Sequence, residues 1–531
     1  MRILACNPGH DGAVAYIVDG QLVFSREAEK NSRPRYSPLT PEDVLAAIAD
    51  LNVLPDVVCT GGFWPAESTL VQNFPHVFYL GIGEDSVAVR QRTISGHTVD
   101  YFSSSHERSH LLCAFGMSGL PKGTPCYALI WEGVIGAFYE IDADFTITKL
   151  GEPMTHPGVR YAFAYGLADP TFDKTAVEAR FTDAGKLMAL ASFARARDAT
   201  AEEERLLTFL LSGPKPRLDL YDGIETAPHY NVGVEDPDFR DFAGILSDRI
   251  FDAFHGFVRE NMPKRLPLVI AGGCGLNCDW NSRWRTSGLF PQVFVPPVAN
   301  DSGSAIGTAI DAQRHFTGDP TIRWDVYAGE AFRTDTPFDP APFEILDADA
   351  GRVADLLAND LILGWVSGRW EIGPRALGNR SILAAPFTDA TRIRLNRIKQ
   401  REQFRPIAPI CLEEDAARWF GCDHPSPYML YTYVATTDAL AAVTHVNGTA
   451  RIQTVSPASN AAMFALLTAF RAQTGYGVLC NTSLNFNGTG FINTIADLAA
   501  YTLKHELDGF VVEGRAYIRR ASEAYRAYRA G

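Results

Sequence analysis

The chain has 531 residues, 46% of them hydrophobic and 21% charged, and 48 lysines and arginines against 62 aspartates and glutamates give a net charge of −14. This length predicts two or three domains, each large enough for its own core, and the apolar and aromatic content excludes a disordered or fibrous chain. The acidic total disfavours a nucleic-acid partner, and the lack of an apolar run of about 18 residues disfavours a membrane partner.

The first 24 residues predict three strands, at Arg2–Asn7, Ala13–Val18 and Gln21–Phe24, with an Asp-Gly hairpin turn between the last two. Because the first strand leads directly into a polar turn, no secretory signal fits, and nine cysteines without framework spacing predict reduced thiols in a cytoplasmic protein. A similar strand–turn–strand–turn–strand run follows at 125–150. The repetition indicates a duplicated architecture, although two unrelated β-meanders would give the same pattern.

Helical spacing predicts helices over 40–51, 239–261 and 301–316, and a buried strand at Leu266–Ala271 runs into the glycines at 272–275. Residues 320–343 are rich in Pro and Asp, which is typical of a domain boundary. We therefore predict an α/β protein with a larger domain at 1–340 and a smaller one at 341–531.

His106 and His110 lie four residues apart in a predicted helix, so both imidazoles face one side and could bind one divalent metal ion. The letters from His106 to His110 also match H-E-x-x-H, so a zinc protease is one alternative and a solvated helix face is another. Asp301 precedes a helix, where it could complete a His-His-carboxylate site that suits iron, or could act only as an N-cap.

Three glycine-containing segments, predicted as turns, could hold phosphates: Gly9–Gly12, Thr182–Lys186 and Gly272–Gly275. None is a Walker A loop, and tight turns explain the glycines equally well. Cys274 and Cys278 form a C-x-x-x-C without a second pair, which we interpret as a non-metal pair.

A basic segment lies in the predicted second domain. From Arg369 to Arg405, nine lysines and arginines accompany three acids, a net charge of +6 within an acidic chain. Cations beside the turn at Gly373–Gly378 can clamp phosphates, whereas a solvated helix face explains the cations at 392–401. The run Asn481–Asn485 offers hydroxyl and amide groups at a strand end, either as a site lining or as an ordinary turn.

Together these segments resemble the O-carbamoyltransferases of antibiotic and nodulation-factor biosynthesis, in the family's order and over nearly the whole chain. The residues at Glu29-Lys30 and Pro34–Pro38 are most similar to the 3-hydroxymethylcephem branch. The matching segments are Asn7–Ala15, His106–His110, Gly185–Ala191, Gly272–Asn277, Asp301–Gly307, Gly373–Gly378, Lys399–Pro406 and Asn481–Asn485.

The resemblance implies a two-domain enzyme. Its first domain would have the duplicated actin-like fold of the tRNA threonylcarbamoyl-transfer protein, and its second the fold of threonylcarbamoyl-adenylate synthase. The second domain would form carbamoyl-adenylate from carbamoyl phosphate and ATP with Mg²⁺, and the first would pass the carbamoyl group to a hydroxyl and release AMP. The acceptor would be a small molecule, such as a cephem, a glycoside or a polyketide, and the family is compatible with a homodimer.

The resemblance also assigns roles by position. The metal, Fe²⁺ or another first-row divalent ion, would be held by His106, His110, Asp301 and Glu132. His10 would be the general base or oxyanion partner beside Asp11, and Arg35 would lie at the acceptor site. Phosphate ligands would be Arg375, Arg380, Lys399, Arg405, Ser483 and Asn485, with Arg375 and Lys399 also catalytic. Contacts to the adenylate would come from Asp183, Lys186, Gly273, Gly275 and Asn277.

Two positions depart from the family, which usually has Asp at the position of Glu132 and often Lys at that of Arg35. An actin-like small-molecule kinase is the alternative enzyme, but it would leave the basic segment and Asn481–Asn485 without a role. A scaffold protein of a tRNA-modification complex is the non-enzymatic alternative, which the acidic total disfavours.

Overall fold

The computed structural model describes residues 1–31, 33–63, 78–94 and 96–530. Backbone contacts divide the chain into two compact units. The first unit comprises Met1–Gly81, Asp85–Ser109 and Asp301–Gly531, and the second comprises Ile82–Glu84 and His110–Asn300. The boundary expected near residue 340 stays a prediction, and residues on both sides of it belong to the first unit.

The first unit contains a six-stranded mixed sheet in the order β3-β2-β1-β4-β6-β5. Strand β1 pairs antiparallel with β2 and parallel with β4, and β4 pairs parallel with β6. Helix α8 (Ser304–Thr317) packs against β1, β2 and β4, and most residues of these three central strands are buried, as is typical of a sheet with parallel pairs. The elements are β1 (Arg2–Asn7), β2 (Ala13–Val18), β3 (Gln21–Glu27), α1 (Pro41–Ala49), β4 (Val57–Gly61), β5 (Val87–Ile94), β6 (His97–Ser104), α2 (His106–Met117) and α8 (Ser304–Thr317).

The second unit contains a five-stranded sheet in the order β11-β10-β7-β8-β9. Its strands β7, β8 and β9 pair antiparallel, and β7, β10 and β11 pair parallel. This is the pattern of the first five strands of the other sheet, so the predicted duplication and the actin-like α/β class are confirmed. The elements are β7 (Cys126–Trp131), β8 (Gly136–Ile141), β9 (Ile147–Gly151), α3 (Pro157–Ala168), α4 (Phe181–Ala191), α5 (Ala201–Leu211), α6 (Pro237–Asn261), β10 (Leu268–Ala271), α7 (Cys278–Thr286) and β11 (Val293–Phe294).

The rest of the first unit is built on an eight-stranded mixed sheet in the order β12-β21-β20-β13-β14-β19-β15-β18. Two buried clusters of apolar side chains form its core. Its strands are β12 (Phe343–Asp347), β13 (Leu363–Val366), β14 (Arg380–Ala384), β15 (Ala408–Leu412), β18 (Gln453–Val455), β19 (Val478–Ser483), β20 (Gly509–Val512) and β21 (Arg515–Arg519). Strands β16 (Tyr433–Val434) and β17 (Thr449–Ala450) pair with each other in a separate two-stranded sheet. The helices are α9 (Ala350–Ala358), α10 (Asp389–Ile398), α11 (Glu413–Phe420), α12 (Ala461–Thr474), α13 (Ile495–Lys504) and α14 (Glu523–Ala530).

Local sequence signals explain several helix starts. Thr40 and Asp43 form a capping box at the start of α1, with Pro41 in its first turn. The carboxylate of Asp236 accepts two backbone N–H groups at the start of α6. The predicted turn at Thr182–Lys186 is wrong, because these residues form the first turns of α4.

Among the described residues, no helix combines the length and hydropathy that crossing a membrane requires.

Candidate functional site

The turn between β1 and β2 places His10 beside two carboxylates. Its Nδ1 lies 3.3 Å from Asp11 Oδ2, and its Nε2 lies 3.5 Å from Asp301 Oδ2. Burial raises the pKa of Asp11, which His10 partly offsets and Asp301 reinforces. Asn7 donates a hydrogen bond of 2.9 Å to the backbone carbonyl of Asp301, which ties the turn to the start of α8. Three predicted site residues are therefore brought together.

The backbone of the turn between β1 and β2 is conformationally restricted. Asp11 has a φ of +52°, a left-handed conformation that costs a non-glycine residue energy. A Cβ on Gly12 would lie 2.2 Å from the backbone nitrogen of Leu39. Only glycine fits there, so the turn is held against the segment that follows β3.

His106 begins α2 and is fully buried. Its Nε2 lies 3.7 Å from Asp301 Oδ2, and its ring stacks on Tyr79 with centroids 4.3 Å apart. Phe63 makes edge contacts with the rings of both His10 and His106. Aromatic rings thus cover the buried His106, and electrostatic interactions are stronger in such low-polarity surroundings than in water.

His110 lies one turn further along α2, and its Nε2 is 3.7 Å from Glu132 Oε2. Glu132 follows β7, is buried, and accepts a hydrogen bond from the backbone N–H of Ile135. His106, His110, Glu132 and Asp301 are all buried and form a group that could hold a metal ion. Two imidazoles and two carboxylates suit a first-row divalent metal.

The predicted adenylate contacts occupy two places in the second unit. Asp183 is buried in α4, where Arg180 Nε bonds it at 2.7 Å and Lys186 Nζ lies 3.7 Å away, and burial raises its pKa. After β10 the chain forms a short 3₁₀ helix, Gly273–Leu276, which Gly272 precedes and Asn277 follows. Asn277 caps α7 with its side chain, and Gly272 has a φ of +93° with no room for a Cβ beside Trp131.

Lys399 directly follows α10 and contacts the end of β19, a strand of the eight-stranded sheet. Its Nζ donates to the carbonyl of Ser483 at 2.8 Å, to that of Asn485 at 3.3 Å, and to the side-chain oxygen of Asn485. Burial lowers the pKa of Lys399 well below its usual value, and Arg401 and Arg405 lower it further. Three predicted phosphate ligands therefore meet, which excludes a solvated helix face for Lys399.

Further cations surround Lys399. Burial lowers the pKa of Arg405, which Glu402 opposes and Arg35 and Arg451 reinforce. Burial also lowers the pKa of Arg401, and the charges of Arg405 and Arg451 add to that effect. Sequence reasoning missed Arg451, because a lone arginine after a short Gly-Thr-Ala run carries no pattern and its neighbours are distant in sequence.

The other two predicted cations lie between the end of β13 and the start of β14: Arg375 is in the connecting loop, and Arg380 is the first residue of β14. Arg375 is half-buried. Arg380 is fully buried, and its guanidinium donates to the carbonyls of Ser367, Gly368 and Asn379. These contacts favour a structural role for Arg380 over phosphate binding.

The chain is similar in sequence to two protein families and to several known proteins. Residues 241–310 match the carbamoyltransferase N-terminus family, and residues 354–519 match the carbamoyltransferase C-terminus family. The chain is 48% identical over 526 residues to the 3'-hydroxymethylcephem-O-carbamoyltransferase of Amycolatopsis lactamdurans, covering 98% of this chain and 100% of that protein. It is 47% identical to the protein of the same name from Streptomyces clavuligerus, over 98% and 99% of the two chains. It is 34% identical to nodulation protein U of Rhizobium tropici, over 92% of each chain.

Solved structures with a similar arrangement cover 59% of this chain. The activator of the 2-hydroxyisocaproyl-CoA dehydratase from Clostridium difficile aligns over 98% of its length with 10% identity and a TM-score of 0.33. A ROK family glucokinase from Streptomyces griseus aligns over 100% of its length with 11% identity and a TM-score of 0.27.

Proposed function

The chain belongs to the carbamoyltransferase family, and we propose that it is an ATP-dependent O-carbamoyltransferase whose acceptor is the hydroxymethyl group of a cephem. The observation that carries this proposal is the identity of 48% and 47% to two 3'-hydroxymethylcephem-O-carbamoyltransferases over 98% of the chain. The kinase alternative is not favoured, because these full-length relatives are carbamoyltransferases.

The first half-reaction is proposed for the cationic cluster around Lys399. Carbamoyl phosphate and ATP carry several negative charges. During adenylation, further negative charge develops on the α-phosphate and on the leaving pyrophosphate. Cations already fixed in place stabilise that charge without reorganising. Arg375, Lys399, Arg405 and Arg451 would supply the positive charge, and Ser483 and Asn485 would supply polar contacts. Arg380 is left out, because it is fully buried and its Nη1 already donates to three backbone carbonyls.

Lys399 has the contacts expected of such a ligand. Its three donors bond oxygens of Ser483 and Asn485, so a phosphate oxygen would replace one of these acceptors. Burial lowers the pKa of the Lys399 amine, and a bound anion would favour its charged form again. Mg²⁺ would accompany the nucleotide phosphates.

The second half-reaction is proposed for the site around His10. Asp11 orients the ring through Nδ1, and Nε2 is directed at Asp301. In this arrangement His10 would accept the proton of the acceptor hydroxyl as it attacks the carbamoyl carbon. Asn7 would keep Asp301 in place through its backbone carbonyl.

We propose that His106, His110, Glu132 and Asp301 hold the metal. The donor set fits, since all four are buried and combine imidazole nitrogens with carboxylate oxygens. When bound, a first-row divalent metal would polarise the carbamoyl carbonyl as a Lewis acid. Glu132 reaches the site with one more methylene than the family's usual Asp, and the backbone of Ile135 orients its carboxylate.

The overall balance is fixed by the reactants. Carbamoyl phosphate, ATP, the acceptor alcohol and water would give the carbamate ester, AMP, pyrophosphate and phosphate. The test is incubation with ATP, Mg²⁺, carbamoyl phosphate and a panel of hydroxyl acceptors, read by mass spectrometry for a carbamoyl gain. We expect the gain on a hydroxymethyl cephem with one AMP and one pyrophosphate per product. Stoichiometric ADP would contradict the proposal.

A further inference from the structure

A buried ion pair in the first 30 residues holds the loop that carries Arg375. Glu27 ends β3, and Lys30 ends the 3₁₀ helix Ala28–Lys30 that follows it. Both side chains are 2% exposed, and Lys30 Nζ lies 2.9 Å from Glu27 Oε1. We call this pair the Glu27–Lys30 clamp.

The clamp binds both backbone polar groups of Gly373. The N–H of Gly373 donates to Glu27 Oε1 at 2.7 Å, and Lys30 Nζ donates to the carbonyl of Gly373 at 2.8 Å. Lys30 Nζ also donates to the carbonyl of Glu371. Its three donors thus have three acceptors, so the ammonium is satisfied although it is buried.

The same residue holds a second loop. The carbonyl of Lys30 accepts hydrogen bonds from the backbone N–H of Phe491 at 3.1 Å and from Asn493 Nδ2 at 2.8 Å. The ammonium lies 4.7 Å from the centroid of the Phe491 ring, a cation–π contact. This loop follows Ser483 and Asn485, whose backbone bonds Lys399.

The loop of Gly373 depends on these contacts for its shape. Gly373 has a φ of +88°, in the left-handed region, and Arg375 is two residues further on. Within the loop, Glu371 Oε1 accepts the backbone N–H of Leu377 at 2.5 Å. The clamp therefore fixes the loop at Gly373, and the Glu371 carboxylate fixes it at Leu377.

We propose that Glu27 and Lys30 are positioning residues for the adenylation half-reaction, because they hold the loop of Arg375 against the segment that directly follows Ser483 and Asn485. The inference rests on the proposed function of the cationic cluster. A buried ion pair is weak evidence for stability, and a well-packed apolar replacement is often tolerated. A role in placing the phosphate-binding residues would explain why the Glu27–Lys30 pair is buried at this position.

The test is the double variant Glu27→Gln with Lys30→Met, which removes both charges together. The introduced glutamine retains an oxygen for the N–H of Gly373, whereas the carbonyls of Glu371 and Gly373 lose their ammonium. Misplacing one phosphate ligand should raise the KM for carbamoyl phosphate about 10- to 100-fold in pyrophosphate release without acceptor. Transfer of the carbamoyl group from supplied carbamoyl-adenylate should keep its wild-type rate.

The control is Leu356→Ala, a truncation on α9. Leu356 is fully buried and belongs to a core cluster that, among the described residues, includes none from either loop. It should lower the Tm without changing that KM. An unchanged KM in the double variant, or an equal loss in both half-reactions, would overturn the positioning role. If the wild-type protein released no pyrophosphate with carbamoyl phosphate, the proposed function itself would fail, which distinguishes the two cases.

Discussion

The ammonium of Lys399 lies 2.8 Å from the carbonyl oxygen of Ser483, although 84 residues separate them. The contact joins the turn after α10 to the end of β19. It places a buried cation beside Ser483 and Asn485, two residues of the run Asn481–Asn485 that the sequence offers either as a site lining or as an ordinary turn. The geometry leads directly to a test by substitution.

Lys399→Ala should block formation of carbamoyl-adenylate. The variant loses a charge that would offset the developing charge on the phosphates, so the rate should fall roughly 100- to 1000-fold. The measurement is pyrophosphate release without acceptor. Transfer from supplied carbamoyl-adenylate should persist, and a failure of both half-reactions would argue against two separate sites. Lys504→Ala, on the last turn of α13, is a matched control that should leave both half-reactions unchanged.

The affinity for carbamoyl phosphate should fall as the pH rises. Burial lowers the pKa of Lys399, so its ammonium loses its proton at a lower pH than an ordinary lysine, whose pKa is about 10.4. The anion binds the charged form, so KM should rise as the pH passes through the lowered pKa. Lys399→Arg should flatten this alkaline limb, because a guanidinium keeps its charge. The same limb in both proteins would assign it to another group.

The sequence predicts the sheets better than the contacts between distant segments. Strands β1, β2 and β3 follow from apolar runs separated by Asp-Gly and similar turns, and the duplicated order follows from their recurrence. Thr182–Lys186 was predicted as a turn because of Gly185. Helical spacing outweighs that glycine, since Asp183, Leu187 and Leu190 bury one face of α4.

Predictability also differs among the site residues. His106 and His110 are readable because one helix carries both. The clamp was not predicted, because Glu27 and Gly373 are 346 residues apart and only the tertiary fold joins them. Arg451 was missed for the same reason, since its effect on Arg405 appears only in three dimensions.

The pair Arg108–Asp311 should be essential for stability. Arg108 lies between the two histidines of α2, and its Nη2 bonds Asp311 of α8 at 2.7 Å with both side chains buried. Asp311→Asn leaves the guanidinium without its counter-charge, which should cost about 3–5 kcal/mol. The measurement is thermal unfolding. Glu152→Gln, which breaks the exposed pair with Lys149, should cost no more than about 1 kcal/mol. Equal shifts in Tm would contradict the assignment.

His106→Ala should separate the two half-reactions in the opposite sense from Lys399→Ala. The variant removes one imidazole from the proposed metal group, so metal content measured by atomic spectroscopy should fall. Transfer to the acceptor should drop by more than about 100-fold, beyond what loss of one supporting hydrogen bond costs. Pyrophosphate release without acceptor should continue, because Lys399, Ser483 and Asn485 are unchanged. His97→Ala alters an exposed histidine at the start of β6 and should retain both metal and transfer. Full metal content in His106→Ala would remove that residue from the ligand set, and loss of pyrophosphate release would show that the two half-reactions share His106.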